Sequence, residues 1–140
     1  MFFAKTANRV EENTTPAVNE ALAALTRASI ARYARAPEAE IRERLDELDA
    51  EWDVERALET NASGAVLLSL LLGKTVDKRF YLVTAAIAAF LMQHALQGWC
   101  PPLPALRRLG FRTAGEIEHE RASLRSALRS RVPNGSAHLD

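Results

Sequence analysis

The chain has 140 residues, the length of one ordinary domain, and 48% of them are hydrophobic and 26% charged. This composition excludes a disordered or low-complexity protein, and a single cysteine, Cys100, excludes an intrachain disulfide framework. Because 18 Lys and Arg balance 18 Asp and Glu, the chain lacks the positive field of non-specific nucleic-acid binding, and we expect no nucleic-acid partner. Ala and Leu dominate over β-branched and aromatic residues, which predicts an all-α fold.

Helical periodicity predicts amphipathic helices towards both ends of the chain. Pro16 favours a helix start, and Pro37 restarts the chain into a second, acidic helix. Because no Pro or Gly follows before Gly64, the sequence allows this acidic helix to continue into the next segment without a break. Thr113 and Glu116 form a capping-box pair, which predicts the start of a last amphipathic helix.

Two segments in the middle of the chain lack Asp, Glu, Lys and Arg and are apolar on all sides. The first covers 60–73 and the second 80–98, and the polar connection 74–79 joins them. A helix that is apolar all round is buried, either in protein or in lipid. The sequence therefore predicts a central apolar helical hairpin flanked by amphipathic helices.

These elements define the expected organisation of the chain. We expect an N-terminal arm over 1–15, one helical domain over 16–132 and a polar tail over 133–140. Within the domain, the expected parts are amphipathic helices over 16–59, the apolar hairpin over 60–98, a turn over 99–112 and an amphipathic helix over 113–132.

The second apolar segment has the length and the ends of a membrane span. As a helix, Phe80 to Trp99 measures about 29 Å, close to the roughly 30 Å hydrocarbon core of a bilayer. Aromatic residues stand at both ends, where the two membrane interfaces would lie. Ala85 and Ala89 form a small-xxx-small pair, a packing face that lets a neighbouring helix approach closely.

The first apolar segment is shorter, and two interpretations of the hairpin stay open. At about 21 Å this segment is short for a span. The hairpin is therefore either inserted in a bilayer or the buried centre of a soluble oligomer. It is too large to be hidden inside so short a chain, which predicts self-association in either case. In a bilayer, the positive-inside rule would put both termini in the cytoplasm.

The turn after the hairpin, 98–102, joins a helix end, an aromatic residue, a thiol and two prolines. Cys100 stands at the start of a short helix, whose N-terminal N–H groups would lower the pKa of the thiol and favour the reactive thiolate. The alternative is an inert, buried cysteine that fills apolar space. The residues that could support a reactive thiol are His94, Trp99, Pro101 and Arg107.

Nothing else in the sequence has the spacing of a reaction centre. A lone His on an apolar helix is more often a hydrogen-bonded core residue than a ligand, and no second cysteine is present. We therefore expect no catalytic residue, no metal and no cofactor.

A family resemblance rests on residues from about 55 to 113, less than half of the chain. This region combines two apolar helices with the turn motif Gly98-x-Cys100-Pro101, followed by Leu109-Gly110 and Thr113. The pattern resembles a bacterial domain of unknown function that occurs alone and as the two-helix transmembrane tail of membrane-bound rhodanese sulfurtransferases. The resemblance implies a hairpin in the bacterial inner membrane. It implies no sulfurtransferase active site, because no rhodanese domain fits in 140 residues.

Three functions are compatible with the sequence. The first is a non-catalytic, membrane-associated helical scaffold or interaction protein that self-associates, with lipid and an unidentified protein as further partners. The second is a thiol protein that handles sulfur or senses redox changes through Cys100. The third is a soluble helical adaptor oligomer in the cytoplasm.

Overall fold

The computed structural model describes residues 8–131, and every regular element in this range is a helix. In chain order the helices are α1 (Arg9–Glu12), α2 (Pro16–Tyr33), α3 (Glu38–Ala50), α4 (Val54–Thr75), α5 (Phe80–Gln97), α6 (Leu103–Arg108) and α7 (Ala114–Arg131). The prediction of an all-α fold is confirmed. The predicted polar tail, 133–140, and the first seven residues of the predicted N-terminal arm lie outside the described residues.

The larger part of the molecule, here called the base, consists of α1, α2, α3, α6, α7 and α4 up to residue 59. Two apolar clusters form its core. The cluster between α3 and α7 contains Ile41, Leu48, Ile117 and Leu124. The cluster around the start of α4 contains Val10, Val54, Leu58, Cys100 and Leu103. Because burying each large apolar side chain stabilises the fold by roughly 1.5–3 kcal/mol, these clusters hold the helices of the base together.

The smaller part, here called the apolar pair, consists of residues 60–75 of α4 and the whole of α5. Ser69 lies opposite Thr84, and Gly73 lies against the ring of Tyr81, so the two helices run antiparallel. Residues 76–79 connect them. α5 packs mainly on α4, so most of the surface of α5 is left without a neighbour from the described part of the chain.

The acidic helix does not continue into the apolar segment as the sequence allows. α3 ends at Ala50, and α4 begins at Val54 after Asp53. The carboxylate of Asp53 accepts a hydrogen bond from the backbone N–H of Arg56 at 2.7 Å, which caps α4. The N–H of Val54 donates to the carbonyl of Arg112 at 2.8 Å, a contact between distant segments. The predicted boundary between 59 and 60 therefore lies inside α4.

The described part of the predicted N-terminal arm, residues 8–15, packs against the helical domain. Val10 of α1 is 4% exposed and contacts the cluster around the start of α4. Asn13 donates from its side chain to the carbonyl of Gln97 at 2.9 Å, so the segment after α1 caps the end of α5. Residues 9–14 thus belong to the base, because the end of α5 and the start of α4 are both completed by them.

Two buried arginines fix the position of α7 in the base. Arg107 donates two hydrogen bonds to Glu116, at 2.6 and 2.8 Å, and its side chain is fully buried. Arg112 donates to Glu120 at 2.5 Å and to Glu51 at 2.6 Å. Glu120 is fully buried as well. Since a buried charge is tolerated only when it is paired, these contacts tie α7 to α6 and to the end of α3.

Glu116 also completes the capping box predicted from the sequence. Its carboxylate accepts a hydrogen bond from the N–H of Thr113 at 2.7 Å, and its own N–H donates to the hydroxyl of Thr113 at 3.2 Å. The prediction of a helix start at Thr113 is therefore confirmed, since α7 begins at Ala114.

Candidate functional site

The contact between the two helices of the apolar pair is made by small and polar side chains. The hydroxyls of Ser69 and Thr84 share a hydrogen bond of 2.6 Å, and Ser69 is 4% exposed. A Cβ atom at Gly73 would lie 2.8 Å from the ring of Tyr81, so only glycine lets that ring approach α4 so closely. The interior of the pair is therefore narrow and partly polar.

The outer surface of the apolar pair is made of large apolar side chains. On α4, Leu67 and Leu71 are 68% and 58% exposed. On α5, Leu82 and Met92 are 72% and 63% exposed. Within the described residues, α5 is the one helix long and apolar enough to cross a membrane, and only 6% of its 18 residues are buried. Exposed apolar surface on this scale is typical of a protein or membrane contact.

Ala85 and Ala89, the predicted packing face, lie on this outer surface. Both are exposed. The side of α5 that meets α4 carries Thr84 and the half-buried Ile87 and Leu91 instead. Contact within the apolar pair therefore does not use the small-xxx-small pair, which no other part of residues 8–131 covers.

Gly98 ends α5 and allows the base to close on it. Its φ of 78° lies in the left-handed region, and its N–H donates to the carbonyl of His94 at 2.7 Å. A Cβ atom at this position would lie 2.5 Å from the carbonyl oxygen of Arg9. Glycine is therefore required twice at Gly98, by the backbone angle and by the close approach of α1.

Cys100 is buried in the base and packs against apolar side chains. It is 1% exposed and contacts the cluster that contains Val54 and Leu103. Burial raises the pKa of the Cys100 thiol, and a hydrogen bond from the backbone N–H of Leu103 lowers it by less. The predicted effect of the helix start is thus present, but desolvation outweighs it and favours the protonated thiol.

The four residues proposed to support the thiol are placed in different environments. Trp99 is 37% exposed, and Pro101 is exposed. His94 is 7% exposed, and neither ring nitrogen has a hydrogen-bond partner among the described residues. Arg107 is occupied by Glu116 and by other acceptors in the base. Within residues 8–131, neither His94 nor Arg107 therefore serves as a charged partner of Cys100.

An apolar groove of about 610 Å³ lies where the apolar pair meets the base. One wall consists of residues of the pair and of the start of α4, namely Leu58, Asn61, Ala62, Ile87, Phe90 and Leu91. The other wall consists of residues from the turn, α6 and the segment that follows, namely Cys100, Pro101, Pro102, Leu106, Leu109 and Phe111. Its volume is within the range of about 300–1,000 Å³ typical of small-molecule sites.

The sequence singled out Cys100 as a possible reactive thiol and Pro101 as a supporting residue, and both line this groove, but it indicated neither the groove nor the residues of the opposite wall. The periodicity of 60–73 and 80–98 has no preferred face, so it could not show that Ala62 and Ile87 face α6. One signal was available: Leu106, in the six-residue α6, and Leu109, directly after it, are large apolar residues that so short a helix cannot bury on its own.

Comparison of the chain with protein-family models, with curated proteins and with solved structures found no significant match. The resemblance to the rhodanese tail therefore rests on the turn motif and the paired apolar helices alone. Among the described residues, no group of three or more His, Cys, Asp or Glu side chains is arranged to hold a metal ion. The apolar pair, the turn and the groove are the features from which a function can be argued.

Proposed function

We propose that the protein is a non-catalytic, membrane-associated helical protein that self-associates through the apolar pair. The observation that carries the proposal is the exposure of leucines on both helices, such as Leu67 at 68% and Leu82 at 72%. In water each of these side chains would stay hydrated, whereas in a bilayer their transfer to hydrocarbon stabilises the inserted state. The base supplies the polar part that remains outside.

The dimensions of the apolar pair are consistent with insertion. The 18 residues of α5 measure about 27 Å, close to the roughly 30 Å of a bilayer core. Phe80 and Tyr81 stand at one end of α5 and Trp99 just beyond the other, as aromatic residues do at membrane interfaces. The resemblance implies the bacterial inner membrane, and the arginines of the base imply a cytoplasmic base with both termini on that side.

The outer face of α5 provides a surface for a second copy. Leu82, Ala85, Ala89, Met92 and Leu96 follow one another at steps of three and four, the spacing of a coiled-coil seam, and all five are exposed. The two alanines leave room for close backbone approach, which favours helix association in lipid. In this arrangement α2, α3 and α7 form an interaction layer at the membrane surface.

Alkaline carbonate extraction of membranes from expressing cells tests insertion. We expect the protein to stay in the washed pellet. Leu67→Lys places a charge near the middle of the pair, which costs about 2.5–3.5 kcal/mol in a bilayer, and is expected to shift the protein into the wash. The matched control is Leu25→Lys, at a 64% exposed leucine of α2 in the base, which is expected to change nothing.

Release of the unmodified protein into the wash would overturn insertion and favour the soluble adaptor oligomer. Self-association is tested separately by sedimentation in detergent. Ala85→Leu and Ala89→Leu are expected to shift the protein towards the monomer, and Ala28→Leu, at an exposed alanine of α2, is expected not to. An unchanged size in both α5 variants would count against this packing face.

The burial of Cys100 favours this proposal over the thiol-based alternative. Sulfur handling or redox sensing requires a thiol that ionises readily and meets its reaction partner. A side chain that is 1% exposed, with a pKa raised by burial, has neither property in the free protein.

A further inference from the structure

The groove between the apolar pair and the base has no charged side chain in its walls. Its one side-chain amide, Asn61, donates from Nδ2 to the carbonyl of Ala57 at 2.8 Å, which leaves its Oδ1 as an acceptor. The Cys100 side chain packs in the apolar cluster that contains Val54 and Leu103. A polar ligand entering the groove would leave most of its own donors and acceptors without partners, at a large desolvation cost. The chemistry of the walls selects a hydrocarbon.

The rim of the groove is also apolar. Phe90, on the pair, is 42% exposed, and Leu109, after α6, is 76% exposed. The groove is therefore continuous with the exposed apolar surface of α5, which carries Met92 and Leu96 close to the same end. A hydrocarbon chain that moves along this surface from the bilayer enters the groove without passing through water. A ligand that comes from solution has to pass a largely apolar rim.

We propose that the groove holds one acyl chain of a membrane phospholipid, which enters sideways from the bilayer and lies between α6 and the apolar pair. This inference rests on the proposed membrane insertion. The groove volume of about 610 Å³ is of the size that one acyl chain requires. Trp99, at the end of α5, then lies at headgroup level, so the groove opens in the half of the bilayer that faces the base.

The bound chain would complete the junction between the two parts of the molecule. Leu106 and Phe111 are only half-buried, although both pack against the core cluster around the start of α4. A chain in the groove covers their free sides together with Ala62 and Ile87, and adds an apolar contact between α6 and the pair. The lipid thus fixes the angle between base and membrane.

Photolabelling in vesicles tests the inference. The full chain is reconstituted in phosphatidylcholine vesicles that contain a trace of phosphatidylcholine with a diazirine on its acyl chain. After illumination, labelled peptides are identified by mass spectrometry. We expect label both at Leu67, on the outer face of α4 and outside the proposed contact between copies, and at Leu106 and Phe111, inside the groove.

A groove-filling variant separates the site from general contact with lipid. Ala62→Phe is expected to reduce labelling of Leu106 and Phe111 about tenfold, the loss given by removing two or so methylene contacts. Labelling of Leu67 stays unchanged. The control Ser63→Phe adds the same side chain at the next, exposed position of α4, which does not line the groove. Ile87→Phe fills the groove from α5 and is expected to repeat the result if Ala62→Phe fails to fold.

Two outcomes would overturn the inference in distinguishable ways. Label at Leu67 without label at Leu106 and Phe111 would exclude an acyl chain in the groove and leave membrane insertion standing. Label at none of the three would contradict insertion itself, and the groove proposal with it. Equal labelling of the groove in the Ala62→Phe, Ile87→Phe and unmodified proteins would show that the lipid contacts only the rim.

Discussion

The base and the apolar pair distribute charge and apolar surface in opposite ways. In the base the buried positions include Arg112 and Glu120, paired at 2.5 Å, beside an apolar core. In the pair the buried positions are the small or polar Ser69, Gly73 and His94, and the outside is made of leucines and other apolar side chains. The base has the apolar core of a water-soluble domain, with buried ion pairs in addition. The pair instead has its large apolar side chains on the outer surface.

The difference shows which contacts define each part. Helices of the base are fixed by specific pairs of charges that tolerate only one arrangement, because every buried charge needs its partner. The helices of the pair touch through Thr84 and Gly73 and leave Leu82 and Leu67 to whatever surrounds them. Perturbing a buried contact in the base should therefore cost far more folding free energy than perturbing an outer leucine of the pair.

Removing Arg112 is expected to have the largest effect on folding. Arg112→Ala leaves the fully buried Glu120 without one of its charged partners and frees Glu51. Breaking a buried ion pair from one side costs about 3–5 kcal/mol, which chemical denaturation in detergent would measure. The control is Arg42→Ala, at an exposed pair with Glu38, where a change within about 0.5 kcal/mol is expected. Similar losses in both variants would contradict the special role given to the ionic interior.

Two glycine substitutions compare the junction between the two parts with the exposed surface of the pair. Gly98→Ala is expected to cost about 2–4 kcal/mol, because the left-handed angle is strained and the new methyl group meets the backbone of Arg9. Gly64→Ala, in α4, meets nothing within 4 Å and is expected to stabilise the helix by about 0.5–1 kcal/mol. Thermal unfolding of both variants checks the opposite signs, and a loss at Gly64 would mean that α4 is covered there.

Acid is expected to loosen the base before the pair. Burial raises the pKa of Glu116, but hydrogen bonds from Arg107 and Thr113 lower it further, and the net shift is downward from 4.5. The pKa of Glu120 is likewise raised by burial and lowered more by Arg44 and Ser29. A carboxylate with a depressed folded pKa stabilises the fold above its unfolded pKa, and this stability is lost as the pH falls through the folded value.

Amide hydrogen exchange, corrected for the pH dependence of the intrinsic rate, would measure this difference between the parts. We expect protection in α7 to fall as the pH drops below 4.5, the ordinary value for Glu. Residues 60–75 and 80–93 contain no Asp, Glu or His, so protection in these parts of the pair should persist, whereas the last turn of α5 contains the buried His94 and is left out of the comparison. Glu118→Gln, at an exposed position of α7, serves as the control. Equal loss in α5 and α7 would mean that the parts unfold as one.

The sequence predicted what depends on local patterns and missed what depends on distant partners. Pro16, Pro37 and the Thr113 capping box locate helix starts because each acts on its own turn. In the sequence, Arg112 has no feature that distinguishes it from a surface arginine. Its role depends on Glu51, which lies 61 residues earlier and accepts a hydrogen bond from it in the fold. The interruption of the acidic helix has the same origin, since the N–H of Val54 binds a carbonyl far along the chain.

The orientation of the apolar helices was not predictable for a different reason. In a segment that is apolar on all sides, hydrophobic periodicity does not identify a contact face. The facing side is set by the hydroxyl pair of Ser69 and Thr84, which are weak signals in a sequence of leucines and alanines. The burial of Cys100 was not predictable because it involves a distant partner: Val10, 90 positions earlier in the chain, belongs to the same apolar cluster.

The smallest effect on folding is expected at the outer face of the pair. Leu82 is 72% exposed, so Leu82→Ala creates no cavity and should change the free energy of unfolding of the monomer by less than about 0.5 kcal/mol. Leu48→Ala, at a leucine that is 1% exposed in the base, should cost about 2–5 kcal/mol in the same assay.

Repeating the measurement over a range of protein concentrations in detergent separates folding from association. A cost at Leu82 that grows with concentration would mean that a second copy covers this face, because association stabilises the folded chain by mass action. A cost at Leu82 that is large at every concentration would contradict the comparison, since it would require α5 to be covered within the single chain.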